Sequence, residues 1–432
     1  MATQTLTSFD AILKNVYRGP IVEQLNQDSY ALDQFERENA NDMGAVSGRQ
    51  VIFPIHTARN RGRGAIPETG TLPNAGTQAY ANGTVKVKYF AQGIELTDHV
   101  IKSSETNEGA FVKALTAEIE GATTDLRKDI NRQVYGTGDG VLSTISTATA
   151  SGATVAVDSI QYISVGDFVD IIKSDGTTKV ASGVQVTAVS DPTGTVETST
   201  QTNGTITLAS NISATTGTGA FVAIAGSYGA GSAAQESDGL RNITATSGSL
   251  HGLDPSTAGL SVWAGSQVDA NYATATEDTF IQLAQTIRKK SAKSIDVFLT
   301  TLGVQRRLAN QYTSQKRYND AKAVEVNGGY SAIMVAAGNK PVPVIADVDA
   351  PLGFAFGLNK SSFAWCELQK PDWLTAPDGK GSIMSLKTGS SAGTRQPVWQ
   401  GWMVWYSTLA NVARNQNGRI IKLKDDLPVA RV

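Results

Sequence analysis

The stretch that decides the fold runs from residue 107 to residue 136 and reads NEGAFVKALTAEIEGATTDLRKDINRQVYG. Asn107 is a suitable N-cap for a helix and Gly136 a suitable stop. At about 1.5 Å per residue, such a helix would be roughly 45 Å long. Its apolar residues recur every three or four positions, which predicts one buried helical stripe: Phe111, Leu115, Ile119, Ala122, Leu126, Ile130 and Val134.

Residues 49–97, before this helix, predict two strands joined by a long loop. Apolar residues alternate from Val51 to Ile55 and again from Val85 to Tyr89. About 25 residues rich in Gly and Pro lie between the two runs, far more than an ordinary hairpin needs, and loops of this length are usually functional. Arg59, Arg61 and Arg63 would share one face of an extended segment. Two interpretations stay open: a solvated loop tip, or a segment that docks onto an acidic patch of an adjacent subunit.

The composition changes over residues 141–235, where Ser, Thr, Gly, Ala and Val dominate and charges are sparse. Short β-type runs recur there at regular spacing. Turn signals such as Ser174–Gly176 and Asp191–Gly194 separate them. This pattern predicts a small all-β module, a barrel or a sandwich, inserted after the long helix.

The C-terminal half of the chain predicts mixed α/β structure. Thr276 precedes two acidic residues and would cap a helix that closes on Arg288, Lys289 and Lys290. A strand over 295–299, a helix over 302–311 and strands near 332–336 and 342–345 follow. The aromatic run 398–406 has apolar residues on both faces, which predicts a strand covered on both sides.

The composition limits the classes of function. The chain has 432 residues, 41% hydrophobic and 18% charged, with a formal net charge of −2. That charge argues against wholesale coating of nucleic acid. The single cysteine, Cys366, rules out an intramolecular disulfide and is interpreted as a small buried side chain beside Trp365. No secretory signal pattern and no run of about 20 apolar residues occurs, so we expect no membrane span.

No residue pattern predicts an enzyme, a metal site or a cofactor. His56, His99 and His251 lie far apart without other ligands at suitable spacing. Gly389–Gly393 matches the G-x-S-x-G motif, but the Pro-containing segment after it does not favour the helix that this motif requires. Asp347 and Asp349 are interpreted as turn-forming residues. The sequence therefore predicts a non-enzymatic protein without cofactors.

The order of these parts resembles that of the major capsid proteins of tailed bacteriophages, which have the HK97-like fold. Gly48–Leu96 is similar to the extended loop and Glu105–Tyr135 to the spine helix. Asp296–Leu308 and Pro341–Leu358 resemble parts of the axial domain, and the final strand would return beside the spine helix. The chain departs from the family where Gly138–Gly140 and Asp238–Leu240 are separated by the predicted β-module.

The resemblance implies an α+β fold. Its expected parts are an N-terminal arm (1–47), an extended loop (48–100), a spine helix (101–140), an inserted all-β domain (141–235), an axial domain (236–360) and a return to the peripheral domain (361–432). It also implies contacts between subunits through a set of exposed residues. These are Phe9, Tyr17, Arg59, Arg61, Arg63 and Glu68.

The function that the resemblance implies is self-assembly into the icosahedral shell of a virion that encloses double-stranded DNA. The subunit would be made in the bacterial host cytoplasm and would form hexamers and pentamers of itself. Scaffolding, portal and decoration proteins are candidate partners, with only non-specific proximity to packaged DNA and no membrane. The alternative is another self-assembling β-rich subunit, such as a tail-tube or surface-layer protein; these lack a spine helix of this length.

Overall fold

The computed structural model describes residues 30–35, 37–39, 50–100, 102, 114–190, 192, 195–196, 204–212, 215–229, 234–313, 333–337, 340–375, 384–388 and 395–427. These residues belong to two compact units. The smaller unit contains residues 90–127 and 371–405, and the larger contains residues 28–89, 128–370 and 406–432. Phe9, Tyr17 and the Gly389–Gly393 motif lie outside the described residues.

The first part of the chain contains the predicted hairpin and the predicted long helix. A short 3-10 helix, Leu32–Gln34, precedes them. The elements are β1 (Arg37–Asn39), β2 (Gln50–Ala58), β3 (Ala79–Lys86), β4 (Lys88–Thr97) and α1 (Ala114–Tyr135).

Helix α1 confirms the predicted stripe from Ala122 to Val134, whereas Ile119 of that stripe is only partly buried. Ala122, Leu126, Ile130 and Val134 are at most 5% exposed, and the helix stops at Gly136 as expected. Its 22 described residues span about 33 Å, while the predicted start at Asn107 lies outside the described residues. The last turn is buried on all sides rather than along one stripe, because Asn131, Arg132, Gln133 and Tyr135 are buried too.

The returning strand of the hairpin differs from the predicted alternation. Val85 and Val87 are buried as expected, but Tyr89 is 58% exposed and Phe90 is buried in its place. The cause is a break at Val87, where β3 ends and β4 begins. Because side chains alternate with a period of two, one residue outside the strands shifts every later side chain to the opposite face.

The segment 141–235, called the insert from here on, contains a sheet of its own. The sheet order is β5-β11-β7-β8-β10-β6. Its core is formed by residues between Leu142 and Val222, including Ile145, Ile160 and Ile171 at 0% exposure. The strands of this segment are β5 (Val141–Thr144), β6 (Gly152–Ala156), β7 (Phe168–Ile172), β8 (Lys179–Val189), β9 (Thr195–Val196), β10 (Thr205–Ile212) and β11 (Phe221–Ile224).

The mixed α/β part of the larger unit has two main helices and a six-stranded sheet. Its elements up to residue 358 are α2 (Leu240–Ile243), a 3-10 helix (Ser261–Trp263), β12 (Ser266–Asp269), α3 (Glu277–Ser291), β13 (Val297–Thr300), α4 (Leu302–Thr313), β14 (Ile333–Ala337), β15 (Lys340–Ala346) and β16 (Ala355–Leu358). The elements after residue 358 belong to both units, since β18 and most of β19 lie in the smaller one. They are a 3-10 helix (Lys360–Ser362), β17 (Phe363–Trp373), β18 (Met384–Thr388), β19 (Arg395–Asn411), a 3-10 helix (Arg414–Gln416), β20 (Gly418–Ile421) and β21 (Asp425–Asp426).

The six-stranded sheet of this part has the order β12-β20-β16-β13-β15-β14. Strand β20, close to the C-terminus, therefore lies inside the sheet between β12 and β16. Helix α3 begins as predicted, because the Thr276 side chain accepts a hydrogen bond from the backbone N–H of Thr279. Phe280, Leu283 and Ile287 of that helix are buried in the core beneath the sheet.

A buried arginine near the C-terminus holds the turn that follows α2. The Arg414 guanidinium is 0% exposed and donates hydrogen bonds to the backbone carbonyl oxygens of Asn242, Ile243, Ser247 and Gly248. Burial lowers the pKa of Arg414 to about 10, so the side chain stays charged at neutral pH. The carbonyl groups at the end of a short helix are satisfied in this way.

In the smaller unit, helix α1 lies beside strand β19. Thr123 on the helix contacts the Met403 sulfur at 3.9 Å, which agrees with the expected return of the final strand to the spine helix. Coverage of both strand faces is confirmed from Met403 to Trp405, all buried. Trp402, in contrast, is 47% exposed, and its ring lies over Gly93 of β4, where a Cβ atom would be 2.6 Å from the ring.

Candidate functional site

The hairpin of residues 50–86, called the arm from here on, carries a long run of exposed residues in the larger unit. Strands β2 and β3 pair antiparallel, with Val51 opposite Val85 and Phe53 opposite Gly83. Val51 and Val85 are buried against Cys366 and Ala410, which fixes the base of the arm. The burial of Cys366 confirms its predicted role as a small core side chain.

The loop of the arm, residues 59–78, is folded back on itself. The Asn60 amide donates to the Gly76 carbonyl oxygen at 2.7 Å, and the Gln78 side chain accepts from the Asn60 backbone N–H at 3.1 Å. A Cβ atom on Gly62 would be only 2.5 Å from the Asn74 carbonyl oxygen. The two halves of the loop can approach this closely only because Gly62 has no side chain.

The structure places all the predicted contact residues of the arm at its surface. Arg59, Arg61, Arg63 and Glu68 are exposed. The arginine segment is not a regular strand, because the Arg63 backbone N–H donates to the Arg61 carbonyl oxygen at 2.8 Å and bends the chain. Two apolar side chains at the end of the loop, Ile66 and Leu72, are 47% and 77% exposed.

His251, which the sequence analysis set aside, anchors the arm to the rest of the larger unit. Its carbonyl oxygen accepts from the Thr84 backbone N–H at 2.8 Å, and its ring packs edge-on against Phe53. The ring Nε2 accepts from the Asn411 backbone N–H at 3.1 Å, which requires a neutral ring with its proton on Nδ1, facing Asp238 at 3.6 Å. Burial lowers the pKa of His251 to about 4, against the opposing effect of Asp238.

Asp347 and Asp349 form a buried turn, as predicted, because the Asp349 backbone N–H donates to Asp347 at 2.9 Å. They also have a role that the sequence did not indicate. Asp347 accepts from the Tyr135 hydroxyl at 2.8 Å and from the Ala31 backbone N–H at 3.1 Å. Asp349 accepts from the Asn131 amide at 2.5 Å. The end of α1 and the segment before β1 are therefore tied to the end of β15.

The insert leaves and rejoins the rest of the chain at one place. A Cβ atom on Gly138 would lie 3.1 Å from the Asp238 carboxylate, and the Gly229 backbone N–H donates to the Asp139 carbonyl oxygen at 3.2 Å. The turns 136–140 and 237–239 are thus in direct contact. The chain therefore enters and leaves the insert at neighbouring turns.

Hydrogen bonds to the turn 348–350 also tie the insert to the rest of the larger unit. The Gln161 amide donates to the carbonyl oxygens of Val348 and Ala350, and the Tyr162 hydroxyl donates to the Asp349 carbonyl oxygen at 2.7 Å. These bonds are local to one edge of the insert, beside an open cleft.

The cleft has a volume of about 470 Å³ and is lined by the insert and by loops of the α/β part. Its apolar wall includes Phe221, Leu352 and Phe354. The Arg241 guanidinium stacks over the Phe354 ring at 5.2 Å. Asp158, on the insert side, has its pKa raised to about 6 by burial, against the opposing effect of Arg241.

The described residues contain no cluster of metal ligands. Within them, no group of three or more His, Cys, Asp or Glu side chains could hold a metal ion. No helix in the described ranges is both long and apolar enough to cross a membrane.

Comparisons with known proteins identify the fold. No model of a known protein family matches the chain, and no curated protein matches it in sequence. The structure is similar to a chain of the cyanophage A-1(L) capsid asymmetric unit, with a TM-score of 0.58, 12% identity, and coverage of 97% of this chain and 99% of the other. The chain therefore has the HK97-like α+β fold of such capsids.

Two further solved structures are similar at a lower level. One is from Mycobacterium phage Bobi, with a TM-score of 0.49, 10% identity and coverage of 97% and 99% of the two chains. The other is the capsid of a native GTA particle, with a TM-score of 0.48, 9% identity and coverage of 98% and 99%.

Proposed function

We propose that this chain is a major capsid protein of a tailed bacteriophage, a structural subunit that assembles with copies of itself into a closed shell. The observation that carries the proposal is the similarity in fold to the cyanophage capsid chain, which extends over nearly the full length of both chains. A match to one domain would indicate only a shared module. Coverage of 97% of this chain and 99% of the other supports a shared overall fold instead.

The physical character of the arm supports this function. A shell requires each subunit to make many modest contacts, which add up to a stable particle. The loop 59–78 exposes charged and apolar side chains that contribute nothing to the core of the larger unit. Exposed apolar surface of this kind marks a site of contact with a neighbouring molecule.

The proposal extends to the kind of shell, the contacts between its subunits and its partners. The shell would be an icosahedral virion capsid of hexamers and pentamers, made in the cytoplasm of a bacterial host and enclosing double-stranded DNA. Contacts between subunits would involve Arg59, Arg61, Arg63 and Glu68 of the arm, together with Phe9 and Tyr17 near the N-terminus. A net charge of −2 suits a wall around DNA better than a protein that coats DNA. Scaffolding, portal and decoration proteins are candidate partners.

Electron microscopy of the purified, expressed chain tests the proposal. We expect closed particles of uniform diameter, formed either on expression or on raising the protein concentration. Tubes would instead support a tail-tube subunit, and flat lattices a surface-layer subunit. A chain that stays monomeric at every concentration, with or without phage-encoded scaffold, would contradict the proposal.

A deletion of residues 60–78 tests the role of the arm in assembly. We expect the shortened chain to keep the thermal unfolding of the full-length monomer, because the deleted side chains are largely exposed. It should not form particles. Normal shells from this variant would show that the arm is dispensable for assembly.

A further inference from the structure

The loop of the arm exposes three arginines and one glutamate, Glu68. Arg59, Arg61 and Arg63 are exposed, and none of them forms an ion pair within the described part of the chain. The apolar side chains of Ile66 and Leu72 lie close to them in sequence, at the end of the same loop. A surface with exposed cations around an apolar tip is suited to a partner that offers an apolar wall and a carboxylate.

The cleft beside the insert offers those two features. Its wall is apolar at Phe221, Leu352 and Phe354. Asp158 also lines the cleft and is partly buried, and no described side chain forms an ion pair or a hydrogen bond with its carboxylate. Burial raises the pKa of this group, and the charge of Arg241 in the same cleft offsets that effect only in part. A guanidinium placed against the carboxylate would stabilise its charged form.

We propose that the cleft is the docking site for the arm of a second copy of the chain, with an arginine of the row 59–63 against Asp158. Ile66 or Leu72 then packs against the apolar wall. This inference rests on the proposed function, since it names the surface that the arm contacts during assembly. The contact joins two different surfaces of the same chain, which is the kind of interface that generates rings and shells.

Charge reversal tests the pairing. Asp158→Arg, and separately the triple change of Arg59, Arg61 and Arg63 to Glu, should each raise the protein concentration needed for half-maximal assembly by about tenfold or more. Combining the changes should restore assembly in part, because the charges are opposite again. Asp158→Asn keeps the shape of the side chain, so it is less prone to misfold than Asp158→Arg. It should also raise the protein concentration needed for half-maximal assembly.

Disulfide trapping tests the contact itself. We expect a chain carrying Arg63→Cys and Ser159→Cys to form covalent dimers and higher multimers on oxidation, seen on a non-reducing gel. Ser159 lines the cleft beside Asp158. The matched control pairs Arg63→Cys with Ala209→Cys, an exposed position on β10 of the insert, and should give no ladder.

The outcomes separate this inference from the proposed function. The inference fails, and the proposed function stands, if the wild-type chain forms particles, Asp158→Asn assembles normally and the Ser159 variant gives no ladder. A single monomer band that migrates faster after oxidation would show that the disulfide forms within one chain. In that case the arm reaches the cleft of its own chain, which would also overturn the inference. A wild-type chain that never assembles would remove both proposals together.

Discussion

Tyr135, in the last turn of α1, donates a hydrogen bond of 2.8 Å to Asp347, which follows β15. The same carboxylate accepts from the backbone N–H of Ala31 at 3.1 Å. One buried carboxylate thus connects three segments that are distant in sequence. Burial, together with the charge of Asp347, raises the pKa of Tyr135, so the hydroxyl keeps its proton and remains the donor.

Tyr135→Phe removes this donor and leaves Asp347 short of one partner in a buried place. We expect the free energy of unfolding to fall by about 1–3 kcal/mol, measured by urea denaturation. Tyr80→Phe is the control, because Tyr80 is 68% exposed and its change should matter by less than about 0.5 kcal/mol. Equal effects of the two substitutions would mean that the buried bond is not stabilising.

Leu126→Ala tests the buried stripe of α1. Leu126 is 5% exposed, and its truncation should lower the free energy of unfolding by roughly 2–5 kcal/mol. Glu120, on the exposed side of the same helix, is the control, and Glu120→Ala should change stability by less than about 0.5 kcal/mol. A silent Leu126→Ala beside a damaging Glu120→Ala would show that the helical phase is wrong.

The correct sequence predictions rest on patterns between near neighbours in the chain. The stripe from Ala122 to Val134 and the cap at Thr276 need only the period and the ends of one helix. The phase shift at Val87 escaped prediction because one residue outside the strands leaves no signal in an alternating pattern.

The features that the sequence did not reveal depend on contacts between distant residues. The roles of Asp347 and His251 come from Tyr135, Thr84 and Asn411, and no local spacing brings these residues together. The cleft likewise combines Asp158 of the insert with Phe354 of a later loop.

The ring of His251 makes stability depend on pH. The unfolded chain binds a proton at about pH 6.5, whereas the pKa in the folded chain is about 4. Stability from this residue is therefore complete above pH 6.5 and is lost as the pH falls towards 4, by up to about 3 kcal/mol. Protonation also replaces the Nε2 acceptor of the Asn411 N–H by a donor.

Urea denaturation between pH 4 and pH 7 measures this dependence. Wild type should lose stability on acidification relative to His251→Asn, while His99→Asn, at an exposed position, should follow wild type. Asp158, whose pKa is raised to about 6, acts in the opposite direction in all three proteins and cancels in the comparison. If the free energy of unfolding changes with pH equally in wild type and in His251→Asn, His251 does not have the lowered pKa.

Gly62→Ala tests the folded-back loop of the arm. The added Cβ would lie 2.5 Å from the Asn74 carbonyl oxygen, whereas at Gly64 the nearest atom is a Pro73 carbon at 3.4 Å. We expect Gly62→Ala to speed amide hydrogen exchange over residues 59–78 by about tenfold and Gly64→Ala to leave it unchanged. Thermal unfolding should stay the same in both variants. Unchanged exchange in Gly62→Ala would mean that the two halves do not pack closely.

The insert provides a separate test of domain organisation. Its core is drawn from its own residues, Leu142 to Val222, so we expect residues 139–230 expressed alone to fold. Circular dichroism should show β structure with a cooperative thermal transition, and NMR should give dispersed amide signals. A random-coil spectrum would show that the insert needs contacts outside it, such as those to the turn 348–350 or the pairing of β9 with β21.

The position of β20 has a consequence for the order in which the chain matures on the ribosome. The strands of the insert sheet are all synthesised by residue 224, so that sheet can close while translation continues. The α/β sheet cannot close at that stage, because the position between β12 and β16 is occupied by β20, residues 418–421. Arg414, which holds the turn after α2, also arrives late. The α/β sheet of a nascent chain therefore stays incomplete until residues 418–421 have been made, whereas the sheet of the insert is already complete.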